Sequence, residues 1–459
     1  MASNEDASAP LFQLLRASDG PGRLGMLKGD IPTPTMFLVT TRSSPHKTVT
    51  RKCIHSVTSA MGVRGVPNHL MPPLLEEVGR PPKKRKTGQD EDGTAEHGSG
   101  TEESMGEIRV VDCPCGEMLL RQSLIEAYPD PCKKKLLGLH RFHCHMNFRD
   151  PLLAEGVFEG DAVAVQTTGG RRKVLSKDWV HITRTLKPLL ATSIAEECPM
   201  GKAGGKKLKR AVEKAQKCLD EIIEQTTALR ADYSVSIIAN IQGGSDTQWR
   251  ETAAKLAAAK PEVAGFSLGG CGYDETSKDR AAALQAAMKH LPADKPRLMP
   301  CRGSPVEVLQ GVWLGVDVFE CTYPLQMADK NVALTFDALS VGREDGQQQG
   351  HDGGSDDATA FVNKTLVEQD LADLPAALQV DLTDTSQATN FDKLCEWSPV
   401  EYSRAYIHHL ANCKEMNAQL LLTRHNLEAY SRLFVAIRDA IGRGQLAHFI
   451  SRFVNEQLS

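Results

Sequence analysis

Apolar positions along this chain fall into two periods. Arg297 to Pro300, Val316 to Phe319, Ser236 to Ile241 and Ala264 to Leu268 are short apolar runs that read as buried strands. Each delivers the chain to a loop or strand end: Cys301-Arg302-Gly303, Glu320-Cys321, Gln242-Gly243-Gly244 and Gly269-Gly270. Helical spacing lies between them. Ser304-Pro305-Val306-Glu307 supplies an N-cap, a proline at the first helical position and a glutamate three residues after the cap. Val308, Leu309, Val312 and Leu314 carry that helix to Gly315. Strand, helix and strand in this order predict a βαβ unit of a parallel sheet. In a closed α/β barrel, carboxylates at the carboxyl ends of strands are the usual catalytic groups, which makes Glu320 the first candidate.

A longer helix is predicted from Leu208, Ala211, Val212, Ala215, Leu219, Ile222 and Ile223, with Lys207, Lys209, Arg210, Lys214 and Lys217 elsewhere around it. Its apolar stripe reads as core or barrel wall and its basic side as solvated or as a nucleic-acid contact. Gly201-Lys202-Ala203-Gly204-Gly205-Lys206 lacks the Gly-Lys-Ser/Thr ending of a phosphate loop and reads as the loop before that helix. Near the C-terminus, Arg404 to Leu422 and Leu427 to Ile441 are apolar around much of their circumference, which predicts helices buried on more than one side. Residues 79–107 and 341–358 are polar, charged and glycine-rich, and read as disordered insertions. Pro81 to Lys86 is a basic run that reads as a solvated linker or a nuclear localisation patch.

Composition narrows the classes. The chain has 459 residues, 41% of them hydrophobic, enough for a barrel with insertions. Twelve cysteines without an upstream signal peptide predict a reducing compartment, the cytoplasm, with nuclear or mitochondrial-surface pools left open. The absence of an apolar run of about 18 residues argues against a membrane span. A net charge of −4 is poor for an autonomous RNA binder, so phosphate contacts would come largely from a partner. Cys113, Cys115, Cys132, His140, His143, Cys144 and His145 match no compact zinc-finger spacing and read as core cysteines and surface histidines.

Several motifs together resemble the tRNA-guanine (queuine) ribosyltransferase family. They are Asp294 to Arg297, Gly303-Ser304-Pro305, Gly315 to Cys321 with Pro324, and Tyr402 to Leu410. Gly29 to Pro34 followed by Met36 to Thr40 resembles the family's first hairpin. The resemblance covers roughly residues 23–60, 108–340 and 390–455. It implies an irregular (β/α)8 TIM barrel with a C-terminal helical subdomain. The expected organisation is a tail over residues 1–22, the barrel over 23–390, and the former zinc-binding subdomain over 391–459.

What the resemblance implies about chemistry is mixed. Active members carry Phe-Asp-Cys where this chain has Phe319-Glu320-Cys321, and that Asp attacks the ribose C1′ of the wobble guanosine. Glu keeps the charge but moves the oxygen by roughly 1.5 Å, and a displacement near 1 Å can cost about a hundredfold. The Pro-Thr-Arg-x-Ala-Arg segment that follows is Pro324-Leu325-Gln326-Met327-Ala328-Asp329 here, without either arginine. The family's second catalytic Asp sits in Ser-Asp-Ser-Gly-Gly-Phe-Gln, a motif this sequence lacks. At the family zinc site, Leu394, Glu396 and Pro399 replace the three cysteines, and His425 alone matches a ligand. Zinc therefore stays possible only through a rearranged set including Cys395 or Cys413, since a structural site needs four ligands. Cys198, Gln242, Gly269 and Gly270 match base-pocket positions, with Glu196 replacing the pocket Asp; the glycines also read simply as strand ends.

Ser43 to His46 and Glu320 resemble the family's accessory, non-catalytic branch, although that branch commonly keeps the zinc cysteines. The expected role is a non-catalytic subunit in a heterodimer with a catalytic subunit, supporting exchange of guanine 34 for queuine in tRNAs with GUN anticodons. The C-terminal helices would contribute to the dimer interface. Two alternatives stand: an active tRNA ribosyltransferase or nucleosidase using Glu320 as nucleophile, and a free-standing binder of queuine or tRNA.

Overall fold

Eight short strands of alternating or wholly apolar character close on one another. In the computed structural model they are β1 (Thr35–Val39), β2 (Val110–Pro114), β3 (His143–Asn147), β4 (Leu190–Thr192), β5 (Ser236–Ile241), β6 (Val263–Leu268), β7 (Arg297–Cys301) and β8 (Val318–Cys321). Every neighbouring pair is parallel, and β8 pairs with β1, so the sheet is a closed α/β barrel. The structure describes residues 10–17, 22–28, 31–39, 110–128, 143–149, 156–201, 204–229, 233–273, 275–343, 354–368 and 378–457. Gly29-Asp30, Ser43 to His46, the 79–107 insertion with its basic run, Cys132 and His140 lie outside the described residues.

The barrel interior is layered, and the layering follows from the period of two along a strand. Phe37, Val110, Leu190, Ile238, Leu298 and Val318 form an apolar cluster with Leu27 and Ile31, which come from the N-terminal strands Arg23–Leu27 and Ile31–Thr33. Two residues further along four of those strands, facing the same interior, stand Asp112, Thr192, Asn240 and Glu320. An apolar plug thus carries a polar layer on its carboxyl-end side.

The predicted βαβ unit forms with small shifts. Ser304 caps the helix Pro305–Trp313, and its hydroxyl and the Glu307 carboxylate make the reciprocal capping box. The strand after it begins at Val318 and includes Glu320 and Cys321, two residues later than the apolar run suggested. The basic helix spans Gly205–Ala228, with Leu208, Ala211, Val212, Ala215, Leu219 and Ile222 buried as expected.

Two expectations need correction. The stretch 404–422 is not one helix: Arg404–Asn412 stops, Lys414 takes the left-handed conformation (φ 56°), and a second helix runs from Met416 to Arg443. Val341 and Ala358, placed in a disordered insertion, are buried residues of the helices Ala338–Arg343 and Gly354–Val362. Val341 and Ala358 are the apolar residues of that polar stretch that reach the core, and each pulls its end of the stretch inward.

Candidate functional site

The polar layer gathers a buried cluster. Asp112 on β2 and His145 on β3 are register partners, and Glu320 reaches the same point from β8. One ligand-type atom from each lies within 4.8 Å of the others. His145 Nδ1 is 2.9 Å from Asp112 Oδ1 and 3.7 Å from Glu320 Oε1. All three side chains are shielded from solvent. The other His145 nitrogen, Nε2, shares a 2.8 Å hydrogen bond with Thr192 Oγ1, and the ring packs on Phe37. Asn147, two residues on from His145, donates its side-chain amide to Glu320 Oε2.

Burial dominates the electrostatics. It pushes the Glu320 carboxyl up to about 8, helped by repulsion from Asp112 and opposed by His145 and Arg149. Burial also lowers the His145 pKa, with Glu320 pulling the other way. Glu320 is thus an enclosed group that holds its proton more tightly than an ordinary carboxyl.

A second cluster sits beside the first. Gln242 Oε1 accepts the Cys198 backbone N–H at 3.1 Å, and Gln242 Nε2 donates to Glu197 Oε1 at 3.1 Å and Asn240 Oδ1 at 2.8 Å. Gly270 N donates to Glu197 Oε2 at 2.9 Å, and Arg149 lies 3.6 Å from the same carboxylate. Gly270 has φ 81°, and a Cβ there would come within 2.5 Å of the Cys198 carbonyl, so only glycine fits. Gly269 is as tightly held, against the Gln242 amide. The fold therefore brings Cys198, Gln242, Gly269 and Gly270 together, and their polar groups close on Glu197. The Cys198 thiol, pushed up to about 12 by burial, is no nucleophile.

Past Glu320, the helix Tyr323–Asp329 holds Leu325 and Met327 in the core. Gln326 and Asp329, at the positions of the family arginines, offer no positive charge; Gln326 donates back to Thr322 Oγ1 at 2.9 Å.

The residues at the former zinc site do not fit that metal. Both His425 nitrogens are engaged: Nδ1 with Ser398 Oγ at 2.8 Å, and Nε2 with the Leu334 carbonyl at 2.7 Å. Its ring stacks on Trp397 at 4.8 Å, and Arg432 caps the other partner of that stack, 5.1 Å from the Trp397 ring. Leu394 is buried in an apolar cluster with Val400, Ile407 and Leu422. Cys395 Sγ lies near the Thr335 carbonyl, and Cys413 lies beside His409 on the surface. His425 is thus committed to hydrogen bonds and stacking, and Leu394 offers no ligand atom for a tetrahedral ion.

Sequence reasoning missed part of this site. His145 is not a surface histidine, because strand pairing turns it into the barrel. Asp112 stands beside Glu320 although its surroundings do not spell the family motif. The signal was present: Val110-Val111-Asp112 is an apolar strand reaching an acid, as is Val318-Phe319-Glu320. Glu197, next to Glu196, is not among the residues that the sequence singles out.

A closed parallel barrel with buried carboxylates near the carboxyl ends of its strands defines the class: an α/β-barrel protein with its site in the usual place for that fold. The family profile described as Queuine tRNA-ribosyltransferase matches residues 124–459, and the chain belongs to that family. Relatives named Queuine tRNA-ribosyltransferase accessory subunit 2 include that of Danio rerio, 28% identical over 328 residues, covering 69% of this chain and 78% of the relative. The Xenopus laevis protein is 27% identical over 350 residues, covering 71% and 80%. The Homo sapiens protein is 26% identical over 341 residues, again covering 71% and 80%. No described helix is long and apolar enough to cross a membrane.

Proposed function

We propose that this chain is the non-catalytic subunit of a heterodimeric queuine tRNA-ribosyltransferase. The partner performs the exchange of guanine for queuine at position 34 of tRNAs with GUN anticodons. The observation that carries this reading is the state of Glu320: fully buried, with one oxygen held by Asn147. A carboxyl so enclosed does not reach a ribose C1′, and nucleophilic displacement needs near-ångström alignment. The uncharged and acidic residues at the arginine positions support the same reading, since Gln326 and Asp329 give no phosphate attraction. The names of the relatives agree with it.

Partner binding is assigned to the C-terminal region. Phe391, Tyr402, Tyr406 and Met416 are exposed there, with Phe391 81% accessible. Tyr402 and Tyr406 rings lie 4.9 Å apart, and backbone bonds from Arg404 to Asp392 and from Ala405 to Asn390 bring Phe391 alongside. Exposed aromatics clustered in this way are characteristic anchors of protein interfaces.

The second reading, an active ribosyltransferase or nucleosidase, draws on the Asp112 and Glu320 pair, two carboxyl groups at one point of the barrel. Guanine exchange on a GUN-anticodon tRNA separates the two. The chain alone is expected to be inactive, and a mixture with a catalytic homologue active as a one-to-one complex by light scattering. Activity of the chain alone would assign the chemistry to Glu320.

A further inference from the structure

We propose that Asp112, His145 and Glu320 form a binding site for one first-row divalent cation, of the kind that accepts mixed oxygen and nitrogen ligands. The site is separate from the former zinc position at His425 and does not depend on the subunit's role in the heterodimer.

Geometry comes first. Two ligands about 2.1 Å from a cation at a tetrahedral angle are about 3.4 Å apart. The separations from His145 Nδ1, 2.9 Å to Asp112 and 3.7 Å to Glu320, bracket that value. His145 Nδ1 makes no hydrogen bond although it is fully buried and lies 2.9 Å from Asp112 Oδ1. Glu320 Oε1 likewise has no hydrogen-bond partner although its side chain is fully buried. A ring nitrogen and a carboxyl oxygen that face each other 3.7 Å apart without a hydrogen-bond partner are what a shared ion would organise.

The groups around the three ligands complete the case. His145 Nε2 is bonded to Thr192 Oγ1, whose strand is in turn held by Trp179 Nε1 donating 2.9 Å to the Thr192 carbonyl. Metal-bound histidines are oriented in this way through their second nitrogen. Asn147 fixes Glu320 through Oε2 and leaves Oε1 facing the cluster. Two carboxyl groups buried together are costly unless a positive charge joins them. Imidazole with two carboxylates suits zinc or manganese. Three protein ligands also leave a coordination position open to water or a small oxygen ligand.

The test uses the full chain, stripped with a chelator and titrated with Mn2+ and with Zn2+. One equivalent of either ion should bind, and pulsed EPR of the Mn2+ form should show one imidazole nitrogen. Glu320→Gln and Asp112→Asn keep the side-chain shapes, and each should weaken binding about tenfold or more. His409→Ala with Cys413→Ser removes the surface pair and should leave binding unchanged. Thermal melts confirm that each variant is folded. No stoichiometric binding of either ion by the wild-type chain would overturn the proposal. So would binding that survives both isosteric substitutions, or that is lost with His409 and Cys413.

Discussion

The Glu197 carboxylate accepts the Gly270 backbone N–H at 2.9 Å, and its other oxygen takes the Gln242 amide at 3.1 Å. Gln242 and the glycine turn match the positions that the family resemblance assigns to reading a purine edge. Here their hydrogen-bonding capacity is directed at each other. A base entering this pocket would have to break these bonds without a net gain, since exchange of one buried hydrogen bond for another contributes little. Calorimetric titration of the isolated chain with queuine or guanine is therefore expected to give a Kd weaker than about 1 mM. Saturable micromolar binding would show that the Glu197 network opens for a ligand.

Turnover of the assembled complex checks the role of Glu320. Glu320→Ala in this chain, reconstituted with a catalytic homologue, is expected to change guanine exchange by less than about twofold, because the proposed non-catalytic role gives the residue no transition-state contact. A loss of a hundredfold or more would place Glu320 in the chemistry. Sizing the same samples by light scattering separates that outcome from loss of assembly.

The sequence made the local pieces of this site legible, but not their convergence. The Ser304 cap, the Glu307 box and the strand leading to Glu320 are encoded within a few neighbouring residues, so pattern alone located them. Gln242, Gly269 and Gly270 stood out because they match the family's base-pocket positions, and Gly270 holds a backbone conformation that side chains rarely adopt. Asp112 and His145 gain their meaning only when β8, β1, β2 and β3 pair in register and the barrel closes. That closure is a long-range event, and a histidine within a Cys- and His-rich run gives no local sign of which way it will face.

Stability against acid reports on His425. Burial lowers its pKa from the ordinary 6.5 to about 4, against the raising influence of the Leu334 carbonyl. The unfolded chain therefore binds a proton between those values that the folded chain does not, so stability is full above about pH 6.5 and falls as the pH drops through 4. At about 1.4 kcal/mol per pH unit, the loss approaches ~3 kcal/mol. His425→Phe should remove this part of the acid dependence in denaturant melts. At pH 7 it should also cost about 1–3 kcal/mol through the unpaired Leu334 carbonyl. An unchanged slope between pH 6.5 and 4 would mean that His425 titrates normally and that the Trp397 stack does not exclude water.

Association with the proposed catalytic partner is the property most exposed to surface change. Phe391, Tyr402 and Tyr406 make few demands on the fold, being well exposed, yet Tyr402 and Tyr406 pair at the helix Arg404–Asn412 and backbone bonds hold the Phe391 segment beside it. Buried aromatic anchors commonly contribute 2 kcal/mol or more to an interface, about a thirtyfold change in affinity. Phe391→Ala with Tyr406→Ala should leave the melting temperature of the isolated chain nearly unchanged. The same pair should weaken one-to-one assembly with the catalytic homologue by about thirtyfold, and guanine exchange at limiting concentration should fall in proportion. Restoring activity by raising the concentration of both chains would show that the patch acts through assembly. Unaltered assembly would move the interface away from this helix.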